Sequence, residues 1–241
     1  MNTNNRVAGD LELRSAASIE QMAEVRRFTT GELQELKLIH SQMGESSGIK
    51  AFRDLRTRLM GLAGGKPFSC MVVSAESGGG SHVAVNLAAA IALDRTKSSV
   101  LVDCNLYSPS VDKYMPVDSG VGLTDFLDDP SVACEDIVYG TGVARMRAVP
   151  VGNNREGGTE KLTSKRMSEF LRELVARYDD RYIIVDAPPV SRYEAEVRIL
   201  SDLCDLVVLV VPYGKVTSIQ LEAEIDKIGR SKLAGVVYNE C

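Results

Sequence analysis

The sequence predicts an α/β fold: a doubly wound, mostly parallel sheet flanked by helices. Three observations predict it. From Pro67 onward, short β-branched runs alternate with helical stretches. Several of these runs are continuously apolar, as strands covered on both faces must be. Glycine-rich or acidic loops follow the strands, at the carboxyl ends where such sheets place their ligands.

Ahead of this pattern, residues 1–14 read as a disordered arm. Residues 16–43 read as an interrupted helix, in which Thr29, Thr30 and Gly31 separate Ile19–Phe28 from Leu33–Met43. Thr30 is the expected N-cap of the second piece, with Glu32 and Glu35 favouring its dipole. Residues 44–48 are a loop. A helix over Ile49–Leu62 follows, with Phe52, Leu55 and Leu59 on one face and Lys50, Arg53 and Arg56 on a neighbouring one. Gly64, Gly65 and Pro67 end it. Strands are predicted at Cys70–Ser74, Ser99–Asp103, Arg145–Val149, Tyr182–Asp186, Leu206–Val211 and Ala234–Tyr238. Helices are predicted at Ser81–Leu93, Gly122–Leu127, Ser164–Tyr178, Glu194–Leu200 and Ser218–Ile228. The expected organisation is an N-terminal arm and helical segment over 1–45 and an α/β domain over 46–241. There is no internal repeat or low-complexity tract.

Composition narrows the function. Net charge is −5, and residues 1–66 carry 10 basic and 8 acidic groups. Neither part has the positive excess that phosphate-backbone binding needs, so no nucleic-acid partner is expected. The longest apolar run, Leu206–Pro212, is strand-sized and cannot span a bilayer. Cys70, Cys104, Cys134, Cys204 and Cys241 have no paired spacing. With two histidines and no CxxC, they fit a reduced, cytoplasmic protein without structural zinc.

The chemistry sits at the strand ends. Val72–Ala90 reads as strand, glycine loop (Gly78, Gly79, Gly80), Ser81, His82, then a helix. Such a loop offers backbone N–H groups and a positive dipole end to an anion. A P-loop also needs a Lys before its hydroxyl residue. With Ser81 as that hydroxyl, Gly79 is the motif's glycine, Gly80 stands for the Lys, and Ser74 stands for the first glycine. Losing one preorganised group at a developing charge costs about 2.7–4 kcal/mol, so fast phosphoryl transfer is not expected. Two further strands end in Asp103 and Asp186. Two carboxylates beside a phosphate loop are how a protein holds Mg²⁺ and its waters.

The ordered set of motifs resembles the bacterial tyrosine kinases of polysaccharide export, in the deviant-Walker P-loop ATPases that include the MinD and ParA groups. The resemblance runs from about Glu32 to Glu240. Val72–Ala90 is similar to Walker A, Val100–Ser110 to the second acidic motif and Tyr182–Val190 to Walker B. The segments 122–127, 149–152, 162–167, 205–212 and 235–239 follow the family's order. The resemblance implies a P-loop NTPase fold with ATP or ADP and Mg²⁺ as cofactors. It implies phosphate on Gly78, Gly79, Gly80 and Ser81, with His82 beside them, and Asn239 near the base. It implies metal at Ser81, Asp103 and Asp186, with the two aspartates catalytic if the site is active. Arg53 and Arg56 match the basic half of the family's subunit-contact motif, through which the 49–62 helix would join copies.

The departures point to a reduced activity. Gly80 replaces the Lys, Asn105 the second Asp of the second motif, Tyr107 a common Arg, and Lys50 the Glu that opens the subunit-contact motif. The chain ends at Cys241, before the position of the family's Tyr-rich tail. The expected function is a degenerate regulator or scaffold of exopolysaccharide or capsule synthesis and export. The alternatives are an active ATP-dependent tyrosine kinase, with Lys161 or Lys165 as substitute cation, and a MinD/ParA-type positioning ATPase. The expected partner is a membrane chain-length protein (polysaccharide co-polymerase) acting in trans, which would hold this cytoplasmic chain at the inner membrane.

Overall fold

The computed structural model describes residues 26–44, 46–114 and 120–240. The predicted arm, most of the predicted Ile19–Phe28 helix and Cys241 lie outside them. Among the described residues one sheet forms from β1 (Ser69–Ser74), β2 (Ser98–Asp103), β3 (Tyr139–Gly140), β4 (Met146–Val149), β5 (Arg181–Asp186), β6 (Leu206–Pro212) and β7 (Leu233–Asn239). The order is β3-β4-β2-β5-β1-β6-β7. Every neighbouring pair is parallel except β3 and β4. The chain leaves β1 for β2 on one side and later crosses to β6 on the other. The crevice this opens lies over the carboxyl ends of β1, β5 and β2.

The helices are α1 (Thr30–Glu35), α2 (Ser47–Leu62), α3 (Gly80–Ala92), α4 (Leu123–Asp128), α5 (Gly158–Leu162), α6 (Lys165–Ala176), α7 (Glu194–Leu203) and α8 (Ser218–Ile228). The strand pleat divides the core between two faces. Met71, Val73, Val102 and Val185 meet Phe126 of α4, Phe170 and Leu174 of α6, Leu200 of α7 and Ile225 of α8. Cys70, Val72, Leu101 and Ile184 meet α3, which is buried along nearly its whole length. Its Ala88, Ala89 and Ala90 let it lie close to the sheet while α2 covers its outer side. Cys70, Cys104, Cys134 and Cys204 are buried free thiols that pack as small apolar groups. No described helix is long and apolar enough to cross a membrane.

All six predicted strands form. The short antiparallel edge strand β3 and helix α5 carried no periodicity to read. The predicted Leu33–Met43 helix is cut short: α1 stops at Glu35, and Lys37 takes φ 53°. The cause is burial. Leu38 and Ile39 turn into the core beside α3, where Asn86 Oδ1 accepts from Ile39 N (2.8 Å) and Asn86 Nδ2 donates to Lys37 O (3.2 Å). The α1 cap is Thr29 rather than Thr30, in a reciprocal capping box with Glu32. Strand β4 starts after Arg145, which sits at φ 59° and donates to Ala92 O.

Candidate functional site

The site begins where β1 ends. The loop between Ser74 and Gly80 brings Gly79 to φ 85° as the N-cap of α3, with Gly78 at φ 132°. Both angles favour glycine. Space demands it too at Gly79, where a Cβ would stand 2.0 Å from Asn239 Nδ2. The last strand thus braces the loop through Asn239. No side chain caps the N-terminus of α3, and its first turn carries no acid. Its leading N–H groups therefore remain for a ligand.

The loop borders a cavity of about 310 Å³. Gly78, Gly79, Gly80, Ser81 and His82 form one wall. Ser108, Ser110 and Lys113, from the loop after β2, form another, and Pro189 after β5 a third. His82 is half-buried. Burial, and then the charges of Lys37 and Lys113, push its imidazole below the usual histidine range.

Beneath the cavity lie two carboxylates. Asp103 and Asp186 are in-register partners at the ends of β2 and β5. Asp103 Oδ1 accepts from Asn105 N (3.0 Å), and Oδ2 accepts from Ser110 N (2.9 Å) and Val111 N (3.1 Å). Burial still pushes its carboxyl up to about 6, against those three bonds. Asp186 is 1% exposed, and neither of its oxygens is in hydrogen-bond geometry with any donor, the Ser81 hydroxyl being near enough only to act on its charge. Burial first, and the Asp103 charge second, push its carboxyl well above the ordinary carboxylate range; the Ser81 hydroxyl and Lys113 pull it back. A bare buried carboxylate is costly unless it is protonated or meets a cation. Among the described residues, no cluster of three or more His, Cys, Asp or Glu can hold a metal alone. A cation here would need oxygens from a ligand, as Mg²⁺ in phosphate sites does.

The sequence-predicted residues come together in this crevice: the glycines, Ser81 and His82 around the cavity, the aspartates below, Asn239 against Gly79. The two lysines proposed as substitute cations do not. Lys161 Nζ donates to Asp128 (2.6 Å), and Lys165 pairs with Glu169 (3.1 Å) with its side chain 86% exposed. Their ion pairs hold them on the α4–α6 side. Lys113, ten positions past Asp103 in the same loop, does line the cavity, and no sequence motif marks it. Tyr107, standing for the family's Arg, turns off the cavity. Its ring stacks on Tyr193 (centroids 3.7 Å apart) and its hydroxyl donates to Glu196 (2.6 Å). On α2, Arg56 donates to Ala90 O (3.0 Å) and so helps fix the helix to α3, while Arg53 is exposed.

No family model matches the chain. It is 29% identical over 217 residues to the tyrosine-protein kinase YwqD of Bacillus subtilis (strain 168), covering 88% of this chain and 90% of that one. Its fold matches the kinase domain of the Escherichia coli tyrosine kinase ETK with a TM-score of 0.76 at 20% identity, over 91% of this chain and 82% of the other. It also matches the septum site-determining protein MinD of Pyrococcus horikoshii OT3, solved with Mg-ADP, with a TM-score of 0.56 at 20% identity, over 70% of this chain and 68% of that one. With the glycine loop, the two strand-end aspartates and the closing Asn239 in their order, the chain is similar to bacterial tyrosine-protein kinases and has the P-loop ATPase fold shared with MinD and ParA.

Proposed function

We propose that this chain is a P-loop-fold regulator or scaffold of exopolysaccharide or capsule synthesis and export, which binds magnesium nucleotide and turns it over slowly or not at all. One observation carries it. Gly80, at the position of the Walker lysine, opens α3, while the cradle and the bare Asp186 carboxylate beneath it persist. The residues fit the absent group on two counts: Asp186 lacks a partner, and a Cβ at Gly79 would close the loop against Asn239. Gly78–Ser81 would hold phosphate, with His82 beside it, and Asn239 would lie towards the base. Ser81 and Asp186 would hold Mg²⁺, with Asp103 behind them. Bound Mg²⁺ supplies neutralisation of charge on phosphate oxygens. Asp103 keeps the β2 loop folded over the cavity, and the α3 N–H groups orient the anion.

The proposed partner is a membrane chain-length protein in trans, which would bring the chain to the inner face of the membrane. Association of copies through α2 would use the exposed Arg53 more than Arg56, which is already engaged with Ala90 O. A second reading, an active ATP-dependent tyrosine kinase, is favoured by the presence of Lys113 in the cavity wall. Calorimetry with Mg-ATP and Mg-ADP, using Asp186→Ala as control, tests the site. Incubation with ATP followed by phosphotyrosine detection separates the two readings. The regulator reading expects binding that Asp186→Ala removes and no phosphotyrosine. Efficient tyrosine phosphorylation would sink it.

A further inference from the structure

We infer that Lys113 supplies, from the loop after β2, the positive charge that the glycine loop lacks, and that it contacts the phosphates of the bound nucleotide. This deepens the nucleotide reading of the cavity and rests on it. Lys113 lines the same cavity as Gly78–Ser81. Its charge is felt on two other elements of that site, at Asp186 below and at His82 on α3.

Its base is held firmly. Lys113 lies in a 3-10 turn, Val111–Tyr114, whose Val111 and Tyr114 are 1% and 3% exposed. Asp103 Oδ2 accepts from the backbone N–H of Ser110 and Val111, fixing the entry to that turn from the floor of the site. The ammonium sits 4.9 Å from the Tyr114 ring centroid, so an aromatic face steadies it on one side. With the turn fixed, only the flexible four-carbon stem must reorient to meet an anion. Lysine suits this delivery from a neighbouring strand end because its ammonium is a point charge with rotatable donors, with no planar fork to align.

Three other lysines are placed less well. Lys161 and Lys165 are paired with Asp128 and Glu169 away from the cavity. Lys215 approaches the outside of the loop, its Nζ 3.7 Å from where a Cβ on Gly78 would stand, but it does not line the cavity.

The test is calorimetric titration with two probes, magnesium tripolyphosphate and Mg-ADP. The proteins are wild type, Lys113→Met, Lys113→Arg and Lys215→Met, with circular dichroism and Tm to verify folding. Lys113→Met should weaken both probes by about tenfold or more. Lys113→Arg should stay within about threefold of wild type, and Lys215→Met within about twofold. Wild-type binding of both probes that Lys113→Met leaves within twofold, or that Lys215→Met removes instead, would overturn the role of Lys113 and leave the nucleotide reading standing. Binding of neither probe by wild type at millimolar concentration would overturn that reading, and the inference with it.

Discussion

Asp103 and Asp186 occupy the same register on neighbouring strands, yet their surroundings are opposite. The β2 exit wraps its carboxylate in three backbone N–H groups, and a loop of eight residues folds around it. The β5 exit runs straight into Ala187, Pro188 and Pro189, and prolines have no N–H to give. Asp186 is left bare at similar burial. Equal position on a sheet therefore does not mean equal role. One carboxylate organises a loop, and the other has no backbone donor to organise, as the proposed metal role requires. Burial and the neighbouring Asp103 both oppose the charge on Asp186.

The sharpest break of this comparison is exchange of the bare carboxylate. Asp186→Ala should lower Mg-ADP affinity by about 100-fold or more, since the metal loses its buried ligand. In the absence of ligand, Asp186→Asn should leave the fold as stable or more stable, because an uncompensated buried charge is removed. Calorimetry and urea unfolding read the two effects. A destabilised Asp186→Asn with unchanged nucleotide affinity would assign Asp186 a structural role. Asp103→Ala should behave in the opposite manner. It strands the N–H groups of Asn105, Ser110 and Val111 and should cost about 2 kcal/mol in urea unfolding. Its effect on nucleotide should follow through the displaced Lys113 turn.

A pH series sharpens the same contrast. Both carboxyls are raised in the fold, Asp103 to about 6 and Asp186 well above its ordinary range by burial and the Asp103 charge. A raised pKa contributes stability that is fully present below the unfolded value, about 3.9, and lost as pH rises through the folded value. Metal-free protein should therefore lose stability as pH rises from about 4, and lose it more steeply than Asp186→Asn measured in parallel. Mg-ADP should flatten the difference by stabilising the ionised pair. Tm against pH for both proteins reads it, and superimposable curves would show that the pair does not titrate as described.

Much of the fold was legible because it rests on periodicity. Continuous apolar runs marked the buried strands, and the glycine loop marked the entry to α3. Two segments far apart in sequence, 122–127 and 149–152, form one contact. Leu123 N and Thr124 N donate to Pro150 O and Val151 O (both 2.8 Å), and a Cβ on Gly122 would stand 2.4 Å from Gly152 N. What stayed hidden depends on tertiary packing. The early end of α1 follows from burial of Leu38 and Ile39, which a helical pattern cannot register. The division of labour between Asp103 and Asp186 depends on how the β2 loop closes, and the sequence marks both simply as strand-end acids. No motif marks Lys113, because its path into the cavity runs through that same closure.

The smallest expected effect belongs to the residue that leaves the site. Tyr107 shares the β2 loop with Lys113 but faces α7, where Glu196 accepts from its hydroxyl and from Thr159 Oγ1 (2.8 Å). The Glu196 carboxylate raises the phenol to about 12, so the hydroxyl stays a donor throughout the neutral range. Tyr107→Phe removes one of the two bonds to Glu196 and keeps the ring stacked on Tyr193. It should cost about 1 kcal/mol or less, read by urea unfolding, because Thr159 still serves the carboxylate. Mg-ADP affinity should stay within about twofold, since nothing in the cavity wall changes. A larger loss of affinity would mean that the β2 loop acts as one unit, with Tyr107 anchoring it from outside as Asp103 does from beneath.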